Sequence, residues 1–371
     1  MRRLGRTEFD RLLSALTEAG YDLVGPVMRD DAIVYERIVG AQDLPEGWTD
    51  AQEAGQYRVH RRDDQALFGY VVGPHSWKRF LFPPNQTVFS ARRTDDGFVL
   101  EAEPVEGVRR ALIGVRACEL EAIRVQDRVF LDGPYVDAGY QRRRSSVFVV
   151  AVNCGQAGGT CFCASMESGP KAHSGYDLAL TEVLGAGEHY FTVEAGSDAG
   201  QTLLDGLALP EASDAECAAA AAAVSRAESQ MGRSLDTNGL KAVLEGVLDI
   251  HHWEAVGQRC LSCANCTLVC PTCFCSTVED ITELDGGARR DRRWDSCFDG
   301  EFSYVAGGSI RQSTASRYRQ WLTHKLSSWH DQFGSSGCVG CGRCITWCPV
   351  GIDITQEAAA LRVAEAAEHN G

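Results

Sequence analysis

The sequence predicts an α+β protein in two regions: a mixed α/β region over residues 1–255 and a mainly helical region over residues 256–371. Three observations carry this expectation. The chain has 371 residues, more than one hydrophobic core usually holds. Strand-like and helix-like apolar patterns alternate up to about residue 255, then give way to short segments punctuated by cysteine. Eleven of the 16 cysteines lie from Cys260 to Cys348.

The elements follow in order. Residues 7–19 place Phe9, Leu12, Leu13 and Leu16 at helical spacing, with Gly20 as a stop. Residues 32–35 and 68–72 are short apolar runs suited to strands, and Pro83-Pro84 marks a turn. A strand is expected over 112–115 and a helix over 117–130. Val147 to Val152 is the clearest strand, wholly apolar and rich in β-branched residues; it empties into Asn153-Cys154-Gly155 and a glycine-rich loop. The alanine run within 211–230 predicts a helix by propensity, and 237–253 predicts another. An alanine- and glutamate-rich helix is expected over 355–369.

Composition narrows the function. Apolar residues make up 44% and charged residues 23%, as in folded globular chains. No apolar run approaches the roughly 18 residues of a membrane span, and Glu8, Asp10 and Arg11 interrupt any signal-like apolar core near the start. The 36 Lys+Arg against 51 Asp+Glu give −15, which opposes binding to nucleic acid or an anionic membrane. A cytoplasmic location is expected, and a reducing cytoplasm disfavours disulfides, so clustered cysteines point to metal ligation.

Their spacing is specific. Cys260, Cys263, Cys266 and Cys270 follow C-x2-C-x2-C-x3-C with Pro271 next, and Cys338, Cys341, Cys344 and Cys348 repeat it with Pro349 next. This is the bacterial ferredoxin pattern, present twice. Three thiolates two residues apart wrap one corner of a cubane, while the fourth is turned away and ligates the other cluster. On that rule one 4Fe-4S cluster takes Cys260, Cys263, Cys266 and Cys348, and the other takes Cys338, Cys341, Cys344 and Cys270. The C-terminal region is then a two-cluster, bacterial-ferredoxin-like domain. Zinc sites, the competing reading, usually use two separated C-x2-C pairs. Sixty-seven residues separate Cys270 from Cys338, an insertion that covers the clusters or docks a partner.

Other residues are less specific. Arg343 lies inside the second motif, and Arg289, Arg290, Arg292 and Arg293 precede Trp294. They either offset cluster charge or, as favoured for Arg289 and Arg290, form a solvated run. The basic stretch from Arg311 to Lys325 is read as a docking surface or counter-charge. Cys154, Cys161, Cys163, Cys273, Cys275 and Cys297 stand outside the motifs, with the triplet CFC occurring twice. They are read as packed thiols, as a redox-active pair, or as the source of a third cluster. Cys118 and Cys217 are read as packing cysteines. His251-His252 is structural, and no nucleotide loop or nucleophile motif is present, so the chain has parts to carry electrons without obvious parts for bond chemistry.

Together several segments resemble a family. They are Gly114-Val115-Arg116-Ala117-Cys118-Glu119-Leu120, Arg142-Arg143-Arg144, Asn153-Cys154, the two CFC triplets, Gly169-Pro170, Gly175-Tyr176-Asp177-Leu178, Trp294-Asp295-Ser296-Cys297 and His324-Lys325. In this order, from about residue 80 to 353, they resemble the beta subunit of cytoplasmic NAD(P)-linked NiFe hydrogenases (sulfhydrogenases). They are also similar to the electron-transfer subunit of anaerobic sulfite reductase. Glu119 stands where the family usually has an aspartate. The resemblance implies an electron conduit between a flavoprotein partner carrying FAD and an NAD(P) site and a terminal module. That module is a hydrogenase small and large subunit pair or a sirohaem subunit. Two other readings are a redox-sensing iron–sulfur regulator, disfavoured by the acidic charge, and a self-contained sulfur reductase using the CFC cysteines.

Overall fold

A computed structural model describes residues 1–102, 108–185, 187–284 and 286–369. The chain opens with β1 (Arg2–Gly5), α1 (Phe9–Glu18) and the hairpin β2 (Asp22–Arg29) and β3 (Ala32–Arg37). A second hairpin, β4 (Trp48–Glu53) and β5 (Gln56–Arg61), and a short α2 (Lys78–Leu81) lead to β6 (Asn85–Thr94) and β7 (Gly97–Ala102). Then come β8 (Arg110–Val115), α3 (Ala117–Phe130), α4 (Ala138–Ser145) and β9 (Val147–Val152). The hairpin β10 (Leu178–Gly185) and β11 (Glu188–Ala195) precedes helices α5 (Asp198–Leu207), α6 (Asp214–Ser229), α7 (Leu240–Gly246) and α8 (His252–Arg259).

The main sheet has seven strands in the order β1-β11-β10-β9-β8-β2-β3. Its centre, β2-β8-β9-β10, is parallel, and antiparallel hairpin strands close both sides. Both faces are covered, which explains the unbroken apolar run of β9. Val150 and Val152 meet Phe9, Leu12 and Leu16 of α1 on one face. Val149 and Ala151 meet Leu120 and Ile123 of α3 and Tyr140 of α4 on the other. Each buried Val or Leu here contributes about 1.5–3 kcal/mol.

Residues 68–72 form no strand. They are a buried loop whose main-chain groups bond to side chains instead of a ladder. Glu182 accepts from the Leu67 and Phe68 amides at 2.7 and 2.9 Å, and Asp50 accepts from the Val71 amide at 2.8 Å. Arg116 donates to the Phe68 and Tyr70 carbonyls at 2.9 and 2.7 Å, and Gln52 donates to the Val72 carbonyl at 2.9 Å. Apolar residues made the run look like a strand because burial selects them in loops too. The helix expected over 237–253 divides into α7 and the start of α8, while α1, α3, α6 and the terminal helix form as expected.

The C-terminal part continues with α9 (Asn265–Leu268), β12 (Ser276–Thr282), β13 (Ala288–Trp294) and a small hairpin of Tyr304–Val305 with Gly308–Ser309. Helix α10 (Thr314–Thr323) widens into a π turn over His324–Ser328 and resumes as α11 (Trp329–Phe333); α12 (Arg343–Thr346) and α13 (Ile354–His369) follow. The expectation of a mainly helical region therefore needs correction, because the segment between the two cysteine motifs carries two hairpins. The larger joins β6 and β7 in a four-stranded sheet, β12-β13-β6-β7, that draws strands from both sides of residue 255. Its exposed faces carry charge pairs, Arg290 with Asp280 at 2.6 Å and Arg289 with Glu283 at 2.6 Å. Apolar alternation is therefore absent from its sequence. The helices pack on a separate core of Leu244, Trp253, Tyr318, Trp321, Leu322 and Leu361. No helix among the described residues is long and apolar enough to cross a membrane.

Candidate functional site

The two motifs have the same backbone path. Ser262 and Ala264 in the first, and Gly340 and Gly342 in the second, occupy equivalent positions, and all four have left-handed φ of 50°, 64°, 63° and 76°. These turns coil each loop so that cysteines two residues apart project to one side. Glycine is required in the second motif by crowding as well as by φ. A side chain at Gly340 would come within 2.6 Å of the Phe162 carbonyl oxygen, and one at Gly342 within 2.5 Å of the Thr160 carbonyl oxygen. In the first motif Ser262 and Ala264 bear the left-handed strain, roughly 1–2 kcal/mol each.

Cys260, Cys263 and Cys266 line one cavity together with Cys344 and Cys348 and the aromatic side chains of Phe298, Tyr318 and Trp321. Cys260 follows α8, Cys266 sits on α9, and Cys348 lies just beyond α12. The Ser262 amide donates to Cys260 Sγ at 3.4 Å and the Ile352 amide to Cys348 Sγ at 3.3 Å. Burial pushes the Cys266 thiol well up, and the charges of Cys260, Cys348 and Cys263 add to this.

Cys338, Cys341 and Cys344 gather with Cys270. Burial raises Cys344 well above the usual thiol range, and the neighbouring charges behind it are Cys338, Cys341, Cys270 and then Cys266. Cys266 and Cys344 thus bring the two groups into contact. Cys270 is the exception among the buried thiols: bonding from Cys273, then the Lys325 ammonium, draws it well below its ordinary value against the cost of burial. Lys325 Nζ lies 3.1 Å from Cys270 Sγ and 3.2 Å from Thr272 Oγ1, and it is 3% exposed. The π turn places this lysine inward; π turns recur at functional sites. Burial would lower the ammonium, but the charges of Cys270, Cys273 and Cys338 hold it well above its usual value. Hence the basic stretch from Arg311 to Lys325 is largely interior: Tyr318, Trp321 and Leu322 are core, and Lys325 is a local counter-charge.

Arg343 is fully buried beside Cys341. It donates to the Gly73 and His75 carbonyls, both at 2.9 Å, and to Glu119 at 2.7 Å. Arg289, Arg290, Arg292 and Arg293 instead pair with acidic groups, among them Glu283, Asp280, Asp137 and Glu279. His252 bonds Glu357 at 2.7 Å. Sequence reasoning missed Glu119 as the partner of Arg343, Tyr35 as a donor to Glu119, the buried Lys78, and the role of Arg116. Lys78 donates to the Cys273 carbonyl at 3.1 Å and lies 3.8 Å from the Trp294 ring centre; burial pulls it down to about 8. A charged residue inside an apolar stretch, as in Gly114-Val115-Arg116-Ala117, was the available signal.

The six remaining cysteines fall into two sets. Cys273 bonds Cys270, and Cys275 bonds Cys297, near Lys325. Cys154, Cys161 and Cys163 lie together against Cys341 instead. Cys118, expected to be a packing residue, belongs with this second set, touching Cys163 and Cys341 in one buried cluster. Cys217 lines a surface pocket with Met1 and Lys171.

A family model for the 4Fe-4S dicluster domain matches residues 259–352, the span of both motifs. The chain is 30% identical over 285 residues to Sulfhydrogenase 2 subunit beta of Pyrococcus furiosus, covering 74% of this chain and 79% of that relative. The chain belongs to the sulfhydrogenase beta-subunit family. As a member of it, this protein is a hydrogenase-subunit-like, iron–sulfur electron-transport protein. No solved structure matches it. The thiol-rich donor set, enclosed by apolar and aromatic side chains, fits iron–sulfur cofactors.

Proposed function

We propose that this chain relays electrons between an FAD- and NAD(P)-binding partner and a NiFe hydrogenase module. In this reading Cys260, Cys263, Cys266 and Cys348 hold one 4Fe-4S cluster, and Cys338, Cys341, Cys344 and Cys270 hold another. The observation that carries it is Cys348, the last cysteine of the second motif, lining the same cavity as the first three cysteines of the first. Bound clusters supply one-electron carriage. The protein's part is to hold them and set their surroundings. Phe298, Tyr318 and Trp321 keep water from the first site. Lys325 places a buried positive charge at the second, which favours the reduced, more negative state, and Arg343, paired with Glu119, lies beside Cys341. Cys263 is exposed, so the first site is the one open to a partner. A cytoplasmic location and a partner flavoprotein belong to the same proposal.

Replacing Cys266 or Cys344 by serine should remove one cluster and halt electron flow from NAD(P)H to the terminal enzyme. Undiminished flow in both variants would refute the relay. Purifying the native complex and assaying nickel against sirohaem separates a hydrogenase partner from a sulfite reductase one.

A further inference from the structure

Four cysteines outside the ferredoxin motifs meet where the parallel strands end. Cys118 follows β8 and lies in the first turn of α3, and Cys154 follows β9. Cys161 and Cys163 come from the loop that packs on the second motif, where the Phe162 amide donates to the Gly340 carbonyl at 2.9 Å. In open α/β sheets, ligand sites lie outside the carboxyl ends of the strands.

The Gly169-Pro170 segment runs between them. The Cys154 amide donates to the Pro170 carbonyl at 3.2 Å. A side chain at Gly169 would come within 3.1 Å of Cys163 Sγ and 3.6 Å of the Cys118 nitrogen. Gly158 approaches Cys161 Sγ in the same way, at 3.4 Å. Cys118, Cys163 and Cys341 are packed in one buried cluster with Val72, Ala122 and Val339. Cys118, Cys161 and Cys163 are buried, and Cys154 is partly so.

A second, independent observation is Arg116. It is 2% exposed, and its guanidinium donates to the carbonyls of Phe68, Tyr70 and Asn153. Among the described residues it pairs with no carboxylate. It does bond the Cys154 thiol. The Glu182 and Asp50 carboxylates act on Arg116 only from a distance, and a buried cation with no anion bonded to it is costly. Thiolates committed to a metal cluster would supply that anion, whereas four neutral thiols would not.

We propose that Cys118, Cys154, Cys161 and Cys163 ligate a third 4Fe-4S cluster, seated at the ends of β8 and β9 against the second ferredoxin motif. Among the described residues no three Cys, His, Asp or Glu converge as tightly as a single ion requires. A cluster spreads its thiolates over several irons and does not need that convergence. The third site extends the conduit from Cys341 into the N-terminal region. Its purpose rests on the relay reading, but its ligands do not. Each thiol must lose its proton on binding iron, since burial pushes Cys161 up to about 12 and raises the other three.

The test is iron and acid-labile sulfide content of the anaerobically isolated full chain, with electron paramagnetic resonance of the reduced protein. About twelve irons per chain are expected, four for each cubane. Cys118→Ala, Cys154→Ser or Cys163→Ser should bring this to about eight, with one paramagnetic centre lost and the other two unchanged. Cys275→Ser and Cys297→Ser should keep all of the irons, which decides the matter even if a variant in the proposed site does not fold. Eight irons in the unaltered protein would overturn the proposal. So would zinc at this site, or loss of four irons from the Cys275 or Cys297 variant. Failure of the relay reading looks different: electron flow from NAD(P)H would then persist in the Cys266→Ser and Cys344→Ser variants, whatever the iron content of the third site.

Discussion

Glu119 and Arg343, 224 residues apart in sequence, form a 2.7 Å ion pair in which neither side chain is more than 1% exposed. Glu119 accepts a second bond, from Tyr35 at 2.8 Å. The pair ties α3 to the second cysteine motif and fixes Arg343 beside Cys341. Removing one partner of a buried pair strands the other charge, which costs about 3–5 kcal/mol. Glu119→Gln should therefore lower the unfolding free energy by an amount of that size, read from the denaturant midpoint and slope. Adding Arg343→Met should recover part of the loss, because the stranded charge disappears with it. A double variant less stable than Glu119→Gln alone would refute this account of the pair.

Lys325 should set the potential of the centre that includes Cys270. Its ammonium, 3.1 Å from Cys270 Sγ, stabilises added negative charge, so Lys325→Met should make that centre harder to reduce. A hydrogen bond to a charged group corresponds to a drop on the order of 100 mV for one electron. Redox titration followed by electron paramagnetic resonance measures it. The exposed Lys241→Met, which removes pairs with Glu245 and Asp331, should leave the potential in place.

The glycines of the second motif and their counterparts in the first should respond oppositely. Gly342→Ala combines a φ of 76° with a 2.5 Å approach to the Thr160 carbonyl, so it should destabilise the fold by more than about 2 kcal/mol and reduce iron content. Ala264→Gly relieves a φ of 64° and should be neutral or stabilising by up to about 1 kcal/mol. Thermal unfolding with iron analysis reads both.

His75 gives a pH dependence. Burial first, then Arg79, pulls its imidazole from 6.5 down to about 4. The unfolded chain takes up a proton near pH 6.5 and the folded one does not, so this residue makes stability fall as pH drops from 6.5 toward 4. His75→Asn should flatten the denaturant midpoint between pH 6.5 and 5, with the effect reduced by the residue's partial exposure. An unchanged slope would contradict the assignment.

Local patterns made much of this legible. The helical spacing of Phe9, Leu12, Leu13 and Leu16 and the apolar run from Val147 to Val152 located α1 and β9 because one periodicity or burial pattern determines each. The motif spacing singled out eight cysteines because ligand geometry limits loop length. What was hidden depends on distant residues. The 68–72 loop is closed by Glu182, Asp50 and Arg116, and β12 and β13 carry arginine–carboxylate pairs, neither of which leaves a hydrophobic period. Cys118 has no ligand spacing to Cys154 or Cys163; only the parallel strands β8 and β9 bring them together.

The relay depends on paired cysteine motifs holding adjoining iron–sulfur clusters. Metal analysis and electron paramagnetic resonance of the anaerobically purified, dithionite-reduced protein test it most directly. At least about eight irons and as much sulfide per chain, with magnetically interacting reduced centres, are predicted. Zinc in their place, with no reducible paramagnetic signal, would contradict it.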